Sequence, residues 1–368
     1  MIAIVYPQFY GVGGIARYLD SFLKSLPEQH PPIYLIIGDE FKDSQGYRGV
    51  EIIHIPFTSN RISLLIWTIK VRKILLQLHK QGKIEWVNLH IPPLISGLLL
   101  PKKIPLVLTT HTTYLGMSGR FYSTQYYQSQ WNWVSVKIKY WMECRIFKHA
   151  TKMIVLTEQA RQEVMAYSYK NAISVIPNGV ALDKFVPNPL VMKDIDVLFC
   201  GRIETRKGSR AMVQLCKLLI EENTSIRICI VGYGEDQFFV QEHLSVYKDN
   251  ILLTGKLSFE QTITYYQRSN IYVSTSYYEG LPGTCLEAMA MELPVVVWNF
   301  LFYRDLVITN QTGILVNAND IQAMSKEIQR LLANAQLRVE FGKNARKRLL
   351  NSYGWEHLAV RVLAVFNA

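Results

Sequence analysis

Short runs of β-branched and apolar residues alternate with longer amphipathic stretches along nearly the whole chain. Buried parallel strands form continuous apolar runs, so this alternation predicts parallel sheets covered by helices on both faces. The first series of predicted strands comprises residues 2–6, 33–37, 51–55, 86–89, 105–109, 152–156 and 173–176. The second series comprises strands at 196–200, 226–231, 250–253, 271–274 and 294–297, with helices at 208–222, 258–267, 284–291, 320–333, 336–350 and 355–366.

The two series predict two doubly wound α/β domains in tandem, which agrees with the length of 368 residues. Turn and breaker residues are concentrated at 177–179 and 187–189. We therefore predict a first domain of residues 1–185 and a second of residues 186–350. Such sheets bind ligands beyond the carboxyl ends of their strands, and a cleft between two such domains suits a two-substrate reaction.

Composition narrows the class of protein. Hydrophobic residues make up 49% of the chain and charged residues 19%, which excludes a disordered coil. The five cysteines are scattered and form no CxxC pair, so we expect reduced core residues in a cytosolic protein. The segment after Met1 has the pattern of a buried strand and not of a signal peptide, and no apolar run approaches the roughly 18–20 residues that span a bilayer. Any membrane contact is therefore expected to be peripheral.

The net charge of +11 is unevenly distributed. Residues 1–185 carry a net charge of +10, and residues 61–152 contain 14 basic residues but only two acidic ones. A domain with such an excess suits phosphates, nucleic acid or an anionic membrane surface.

Two motifs in the first half could bind a ligand. Gly13 and Gly14 lie in a loop after the first strand, where glycines let helix amides approach an anion. Plain turn formation is the alternative, since the third glycine of a dinucleotide fingerprint is missing.

His111 directly follows a buried strand, which is expected to point it towards the cleft. A core histidine with satisfied hydrogen bonds is the alternative there.

In the second half, Gly201 and Arg202 end a strand, and Arg206-Lys207-Gly208 precedes a helix. Cations beside helix-terminal amides suit a nucleotide diphosphate, because arginine offers a planar fork and lysine a point charge. A solvated helix start is the alternative.

The most specific segment is 278–290, in which a Gly/Pro turn separates two acidic residues. Glu279 is predicted in the loop, and Glu287 about one turn inside the helix that follows. Carboxylates so placed can accept hydrogen bonds from sugar hydroxyls, one on a transferred sugar and one on a ribose. Helix capping is the alternative for one of them.

Together these motifs resemble those of a retaining glycosyltransferase of the GT-B fold, of the family 4 type (glycosyl transferases group 1). The resemblance covers nearly the whole chain. It extends to Ile176-Pro177-Asn178-Gly179-Val180, Val231-Gly232-Tyr233-Gly234, Leu253-Thr254-Gly255, Gly313 and Trp355-Glu356.

The resemblance implies two Rossmann-like domains facing a cleft, with a C-terminal helix (351–368) packing back on the first domain. The second domain would hold a UDP- or GDP-linked sugar, with Arg202 and Lys207 on the diphosphate, Glu287 on the ribose and Glu279 on the transferred sugar. His111 would contact that sugar near the reacting carbon, and no metal or other cofactor is expected. The implied donor-binding residues are Gly13, Gly14, Gly201, Arg202, Lys207, Gly232, Gly234, Glu279, Gly280, Leu281, Pro282, Gly283, Thr284 and Glu287, and the implied catalytic residues are His111, Glu279, Arg202 and Lys207.

The chain departs from the family pattern at two places. Glu292 stands where the family usually has glycine, and bulky residues occupy 298–305, where it usually has a Gly-Gly pair. Bulky side chains in that loop are expected to reshape the sugar pocket.

Residues 120–152 interleave aromatic and basic side chains, as an interfacial helix requires. The membrane-facing residues predicted there are Trp131, Trp133, Lys137, Lys139, Arg145 and Lys148. The alternative is that the rings belong to the core and the charges to a solvated face.

The sequence thus favours a retaining, metal-independent glycosyltransferase that extends a glycan or lipid-linked acceptor at the cytoplasmic face of a membrane, as in cell-surface polysaccharide or glycolipid biosynthesis. No nucleic-acid partner is expected. The alternative is a non-catalytic scaffold that binds membrane or nucleic acid and keeps a degenerate donor pocket.

Overall fold

The computed structural model describes residues 1–9, 13–39, 46–58, 60–119 and 133–367. Within these residues the chain divides into two compact units. The first unit contains the described residues as far as Gly179 and the segment from Trp355 onward, and the second contains Val180–Gly354.

The first unit is built on a parallel sheet. Its described strands are β1 (Ile2–Val5), β2 (Ile33–Ile37), β3 (Val50–His54), β4 (Trp86–Ile91), β5 (Leu106–Thr110), β6 (Lys152–Val155) and β7 (Ile173–Val175). They lie in the order β3-β2-β1-β4-β5-β6-β7. The helices before the second unit are α1 (Gly14–Lys24), α2 (Arg61–Lys80), α3 (Ile95–Leu98), α4 (Tyr114–Met117), α5 (Trp133–His149) and α6 (Glu158–Ala166). Helix α1 buries Tyr18, Leu19 and Phe22 at helical spacing, which gives it one apolar face towards the core.

The second unit contains a parallel sheet with the order β10-β9-β8-β11-β12-β13. Its strands are β8 (Ile195–Cys200), β9 (Ile228–Val231), β10 (Ile251–Gly255), β11 (Ser269–Ser274), β12 (Val295–Trp298) and β13 (Gly313–Val316). Its helices are α7 (Ser209–Glu222), α8 (Gln237–Leu244), α9 (Phe259–Gln267), α10 (Gly283–Ala290), α11 (Leu301–Arg304), α12 (Ile321–Ala333) and α13 (Ala335–Ser352). The last helix of the chain, α14 (Trp355–Asn367), belongs to the first unit.

The predicted α/β architecture of two Rossmann-like sheets is confirmed. Each predicted strand is present, with ends that shift by at most two residues. Strand β13 was missed because Gly313 leaves only three apolar residues to mark it, and α11 was missed because it has only four residues. Helix α8 was also missed, although it is as long as the predicted α10.

The strand order positions the loops of the second unit. Strand β8 pairs in parallel with β9 on one side and with β11 on the other, so the order in which the chain adds strands to the sheet reverses between β8 and β11. Loops that leave the carboxyl ends of neighbouring strands at such a switch point lie side by side, and ligands of doubly wound sheets bind there. The loop after β8 carries Arg202–Lys207, and the loop after β11 carries Glu279.

Candidate active site

Glycines bring the ends of β8 and β9 into backbone contact. Gly232 has a φ of 140°, and a Cβ on it would lie 1.8 Å from the carbonyl oxygen of Gly201. A Cβ on Gly234 would lie 2.2 Å from the carbonyl oxygen of Ile203. These two positions therefore require glycine for a packing reason that is independent of any ligand.

A second close approach joins the loop after β8 to the end of β11. Gly208 has a left-handed φ of 72°, and a Cβ there would lie 2.0 Å from the carbonyl oxygen of Thr275. The Thr275 hydroxyl lies 3.2 Å from the carbonyl oxygen of Lys207 and 3.0 Å from that of Gly208, and it can donate to either. This contact fixes the 3₁₀ turn Thr205–Lys207, which carries the basic side chains of Arg206 and Lys207.

The centre of the site is an ion-pair cluster formed by Glu204, Arg206, Lys207 and Glu279. Lys207 donates to the Glu279 carboxylate. Arg206 donates to the carbonyl oxygen of Tyr278 at 2.9 Å and to Glu204, and its Nη1 lies 3.8 Å from Glu279. All four side chains are at least four-fifths buried, so their charges interact in an environment that screens them less than water does.

The predicted pair Lys207 and Glu279 is thus brought together, whereas Arg202 takes a peripheral place. The Arg202 side chain is 63% exposed, and its Nη1 lies 3.4 Å from Glu204. Arg206 is the more buried arginine, and it was absent from the predicted site residues. Burial lowers the pKa of Lys207, and the carboxylate of Glu279 opposes that shift.

Glu287 lies one turn inside α10, as predicted, and is 91% buried. Its Oε2 accepts a hydrogen bond of 3.0 Å from the hydroxyl of Tyr266, a residue of α9 that sequence reasoning missed. The hydroxyl of Thr284 lies 2.8 Å from that of Tyr272. Hydroxyl groups from the core therefore support the start of α10, and a carboxylate so held can accept hydrogen bonds from sugar or ribose hydroxyls.

Three aromatic side chains of the segment 298–305 are buried, namely Trp298, Phe302 and Tyr303. The indole of Trp298 donates to the carbonyl oxygen of Thr275 at 3.0 Å, and the Tyr303 hydroxyl donates to Ser274 at 2.7 Å. Both side chains are fully buried. These rings support the carboxyl end of β11 from the core.

The other departure, Glu292, takes up a conformation that favours glycine. It follows α10 with a φ of 58°, in the left-handed region. A side chain with a Cβ is strained there, which explains the family preference for glycine.

His111 lies in the first unit, directly after β5, and is 92% buried. Its Nε2 lies 3.0 Å from Nδ1 of His90, whose Nε2 lies 2.9 Å from Oδ1 of Asn88. The ring of Tyr18 packs edge-on against His111, with ring centroids 5.0 Å apart. Burial lowers the pKa of His111 to about 3, so its imidazole is neutral near pH 7. Sequence reasoning missed His90 and Tyr18.

Two buried glutamate side chains anchor the segment after His111. Glu143 accepts hydrogen bonds from the Tyr114 amide at 3.0 Å and from the Tyr167 hydroxyl, and Glu163 accepts one from Thr113. Desolvation raises the pKa of Glu143 to about 8, although its hydrogen bonds oppose the shift. The backbone that follows His111 is therefore held by hydrogen bonds from the core.

Gly13 and Gly14 stand at the start of α1. A Cβ on either residue would meet no atom within 4 Å, and Gly13 is extended with a φ of −175°. Neither glycine is required by packing within the described residues, in contrast to Gly232 and Gly234. Of the remaining predicted donor-binding residues, Gly280, Leu281 and Pro282 form the loop before α10, and Gly283 is the first residue of that helix.

The exposed face of α5 combines apolar and basic side chains. Val134, Ile138 and Trp141 are exposed on the same side of the helix as three cations, Lys137, Arg145 and Lys148. Trp133 is 57% exposed and lies under the ammonium of Lys137, whereas Lys139 lies over the ring of Tyr114. Trp131 lies outside the described residues, as do the other predicted aromatic residues between 120 and 132.

Helix α2 has a similar exposed face, within the region 61–152 that the sequence analysis described only by its charge. Ile62, Leu65, Ile66 and Ile69 are exposed along one side, and Lys73 and Lys80 continue it. Throughout the described ranges, no helix is long and apolar enough to cross a bilayer, and no cluster of three potential metal ligands occurs.

Two family models match the chain in succession. Glycosyltransferase Family 4 matches residues 12–184, and Glycosyl transferases group 1 matches residues 182–348. The chain therefore belongs to the glycosyltransferases of the group 1 and family 4 type, as the resemblance predicted.

Among curated relatives, the capsular polysaccharide biosynthesis glycosyltransferase CapM of Staphylococcus aureus is 25% identical over 60% of this chain and 63% of its own length. The UDP-Gal:alpha-D-GlcNAc-diphosphoundecaprenol alpha-1,3-galactosyltransferase of Escherichia coli is 27% identical over 93% of this chain and 90% of its own length.

Solved structures share the fold. Sucrose-phosphate synthase from Thermosynechococcus elongatus matches with a TM-score of 0.80 at 20% identity, over 100% of this chain and 98% of that one. HepE from Anabaena, in complex with UDP and glucose, matches with a TM-score of 0.75 at 15% identity, over 100% of this chain and 99% of that one. The GT-B fold predicted from the sequence is thereby confirmed.

Proposed function

We propose that the chain transfers a sugar from a UDP- or GDP-linked donor to a glycan or lipid-linked acceptor, with retention of anomeric configuration and without a metal ion. The observation that carries this proposal is the buried cluster of Arg206, Lys207 and Glu279 at the switch point of the second sheet. It places two cations beside the Glu279 carboxylate, with Glu204 paired to Arg206 on the other side, where a doubly wound sheet binds its ligand.

In this proposal, Lys207 and Arg206 stabilise the negative charge that develops on the departing diphosphate, as preorganised charges do in a water-poor site. The bond between the anomeric carbon and the phosphate oxygen breaks. The acceptor oxygen forms a new bond on the same face, and its proton passes to the leaving phosphate oxygen. Two positive side chains would supply the charge that a metal ion supplies elsewhere, which is why we propose a metal-independent reaction.

Glu279 and Glu287 have separate tasks in this scheme. Glu287, held by Tyr266, would accept hydrogen bonds from the ribose, remote from the reacting bond. Glu279, paired with Lys207, would contact the transferred sugar. Arg202 is exposed enough to approach the nucleotide. Because it pairs with Glu204, it would contribute less to diphosphate binding than Arg206 and Lys207 do. His111 remains a proposed contact of the sugar.

The names of the relatives support the proposed nucleotide-sugar donor and the proposed glycan or lipid-linked acceptor. HepE has been solved with UDP and glucose, and the Escherichia coli relative is named for a UDP-linked donor and a lipid diphosphate acceptor. CapM is named for capsular polysaccharide biosynthesis. We propose that the present chain serves a similar cell-surface polysaccharide or glycolipid route.

We also propose that the first unit binds an anionic membrane surface peripherally, on the cytoplasmic side, where a lipid-linked acceptor would be presented. The exposed α5 face offers rings for the headgroup level and cations for anionic lipid. Each basic residue near such a surface contributes about 1 kcal/mol, so this face suffices for reversible binding.

A thermal-unfolding screen tests the proposed donor class. The full chain would be unfolded with UDP, GDP, ADP or CMP and with their common sugar conjugates. A ligand at ~100 times its dissociation constant adds about 2.7 kcal/mol of stability, so one nucleotide family should raise the melting temperature clearly. If no nucleotide shifts it, the proposed donor site is wrong and the scaffold alternative gains support.

A further inference from the structure

A chain of hydrogen bonds runs through the core of the first unit and ends at His111. It begins at Asn88 of β4, whose amide nitrogen donates to the carbonyl oxygen of Val107 at 3.1 Å and to the Thr109 hydroxyl at 2.9 Å. A carbonyl oxygen can only accept, so the amide group of Asn88 must face β5. Its oxygen must therefore face the other way, towards His90.

The orientation of Asn88 determines the protonation of both histidines. Its Oδ1 lies 2.9 Å from Nε2 of His90, which must carry the proton. His90 is 99% buried, and burial lowers its pKa well below the usual value, so it is neutral and its Nδ1 has a lone pair. That nitrogen lies 3.0 Å from Nε2 of His111, which must then be the donor. A neutral His111 protonated at Nε2 has its own lone pair at Nδ1.

We propose that Asn88 and His90 are positioning residues, which hold His111 in the tautomer protonated at Nε2 so that Nδ1 meets the ligand as a hydrogen-bond acceptor. The ligand class follows from this polarity. A lone pair at Nδ1 selects a group that donates, such as a sugar hydroxyl, and repels an unprotonated phosphate oxygen or a carboxylate.

Aromatic packing also restrains the orientation of the His111 ring. The rings of His90 and His111 lie 5.3 Å apart, and Tyr18 meets His111 edge-on. Trp355, the first residue of α14, packs against the other side of Tyr18 at 4.9 Å. Within the described part of the chain, Nδ1 of His111 makes no hydrogen bond, so it is not already committed to another side chain.

The inference rests on the proposed function only for the identity of the ligand, because the tautomer can be observed without any substrate. The full chain labelled with ¹⁵N-histidine would be studied by long-range ¹H–¹⁵N correlation at neutral pH, with the His111 signals assigned from His111→Gln. We expect a protonated Nε2 and an unprotonated Nδ1. The opposite tautomer, or a doubly protonated ring, would overturn the proposal whether or not any nucleotide binds.

The variant Asn88→Asp tests the relay itself. A carboxylate next to His90 Nε2 favours the imidazolium form, whose Nδ1–H would donate to Nε2 of His111 and shift the proton of that ring to Nδ1. We expect this inversion in the spectrum and a fall in kcat of about tenfold or more with the affinity for the free nucleotide unchanged. A His111 tautomer that stays as in the wild type would contradict the role of Asn88.

Asn250→Asp is the matched control. Like Asn88, the Asn250 side chain donates two hydrogen bonds, in its case both to carbonyl oxygens, at 2.8 and 2.9 Å, but it lies in the second unit. It should lose comparable hydrogen bonds without altering the His111 signals. If Asn88→Asp does not fold, the wild-type spectrum still decides the tautomer.

Discussion

Lys207 and Glu279 are 72 positions apart in the chain, yet the ammonium of one contacts the carboxylate of the other. Both side chains are more than four-fifths buried, and Arg206 approaches the same carboxylate from the neighbouring position. Without ligand, Glu279 thus neutralises part of the positive charge that a diphosphate would need. A nucleotide must share these cations with the carboxylate, which couples diphosphate binding to the residue proposed to contact the sugar.

Replacing Glu279 should separate binding from turnover. In Glu279→Gln the cations lose a competitor, so the affinity for free UDP or GDP should be unchanged or higher. The contact to the transferred sugar is lost, so kcat should fall on the order of a hundredfold. Calorimetry and initial rates measure the two effects, with Glu235→Gln, an exposed carboxylate after β9, as the control. A loss of nucleotide affinity in Glu279→Gln would count against the assigned role.

Glu287→Gln should have the opposite profile. A hydrogen bond to a charged group contributes about 1.5–3 kcal/mol, so nucleotide affinity should fall by roughly ten- to a hundredfold. With saturating donor, kcat should change little, since the ribose is remote from the reacting bond. Tyr266→Phe, which removes the hydroxyl that holds this carboxylate, should weaken binding less. Equal losses of kcat in the Glu279 and Glu287 variants would refute the division of roles.

The α5 face should govern membrane association. Replacing Lys137, Lys139, Arg145 and Lys148 together by glutamine removes the three cations of the exposed face and Lys139, which lies over the Tyr114 ring. The three exposed cations account for up to about 3 kcal/mol of attraction to anionic vesicles at low salt, roughly a hundredfold in partition. Flotation with vesicles of anionic and of neutral lipid measures this effect. The control removes the same charge from exposed lysines of the second unit, Lys248, Lys326, Lys343 and Lys347. Unchanged flotation of the first variant, or equal loss in the control, would show that α5 is not the membrane face.

Glu292 offers a test of backbone strain. Its left-handed conformation costs a residue with a Cβ about 1–2 kcal/mol, and glycine avoids this cost but loses about 0.5–1 kcal/mol through unfolded-state entropy. We therefore expect Glu292→Gly to raise the free energy of unfolding by up to about 1 kcal/mol, measured by urea denaturation. Glu292→Ala keeps the Cβ and should not be stabilised. An alanine variant as stable as the glycine variant would argue against strain as the cause.

Much of the fold could be predicted because buried parallel strands leave continuous apolar runs in the sequence. The positions of the candidate ligand-binding motifs could also be predicted, because the loops after the strands carry the residues that bind ligands in such sheets. Glu287 was placed correctly one turn inside α10, because the Gly/Pro turn before it marks the helix start.

The arrangement of side chains within those loops could not be predicted. Arg202 and Arg206 are chemically identical, and only the 3₁₀ turn fixed by Gly208 against Thr275 directs Arg206 inward and leaves Arg202 exposed. His90 was missed because of strand register. Its proximity to His111 depends on the register of β4 against β5, in which His90 stands beside Thr109, and a single sequence does not reveal register.

The most direct test of the central claim is calorimetric titration of UDP and GDP into the full chain and into Lys207→Gln, with Lys326→Gln as the control for loss of a surface charge. We predict that one nucleotide binds the wild type and the control equally, and that Lys207→Gln weakens its affinity at least about tenfold, or about 1.4 kcal/mol. If neither nucleotide binds the wild type, or if Lys207→Gln binds as tightly as the wild type, the donor site proposed here is wrong.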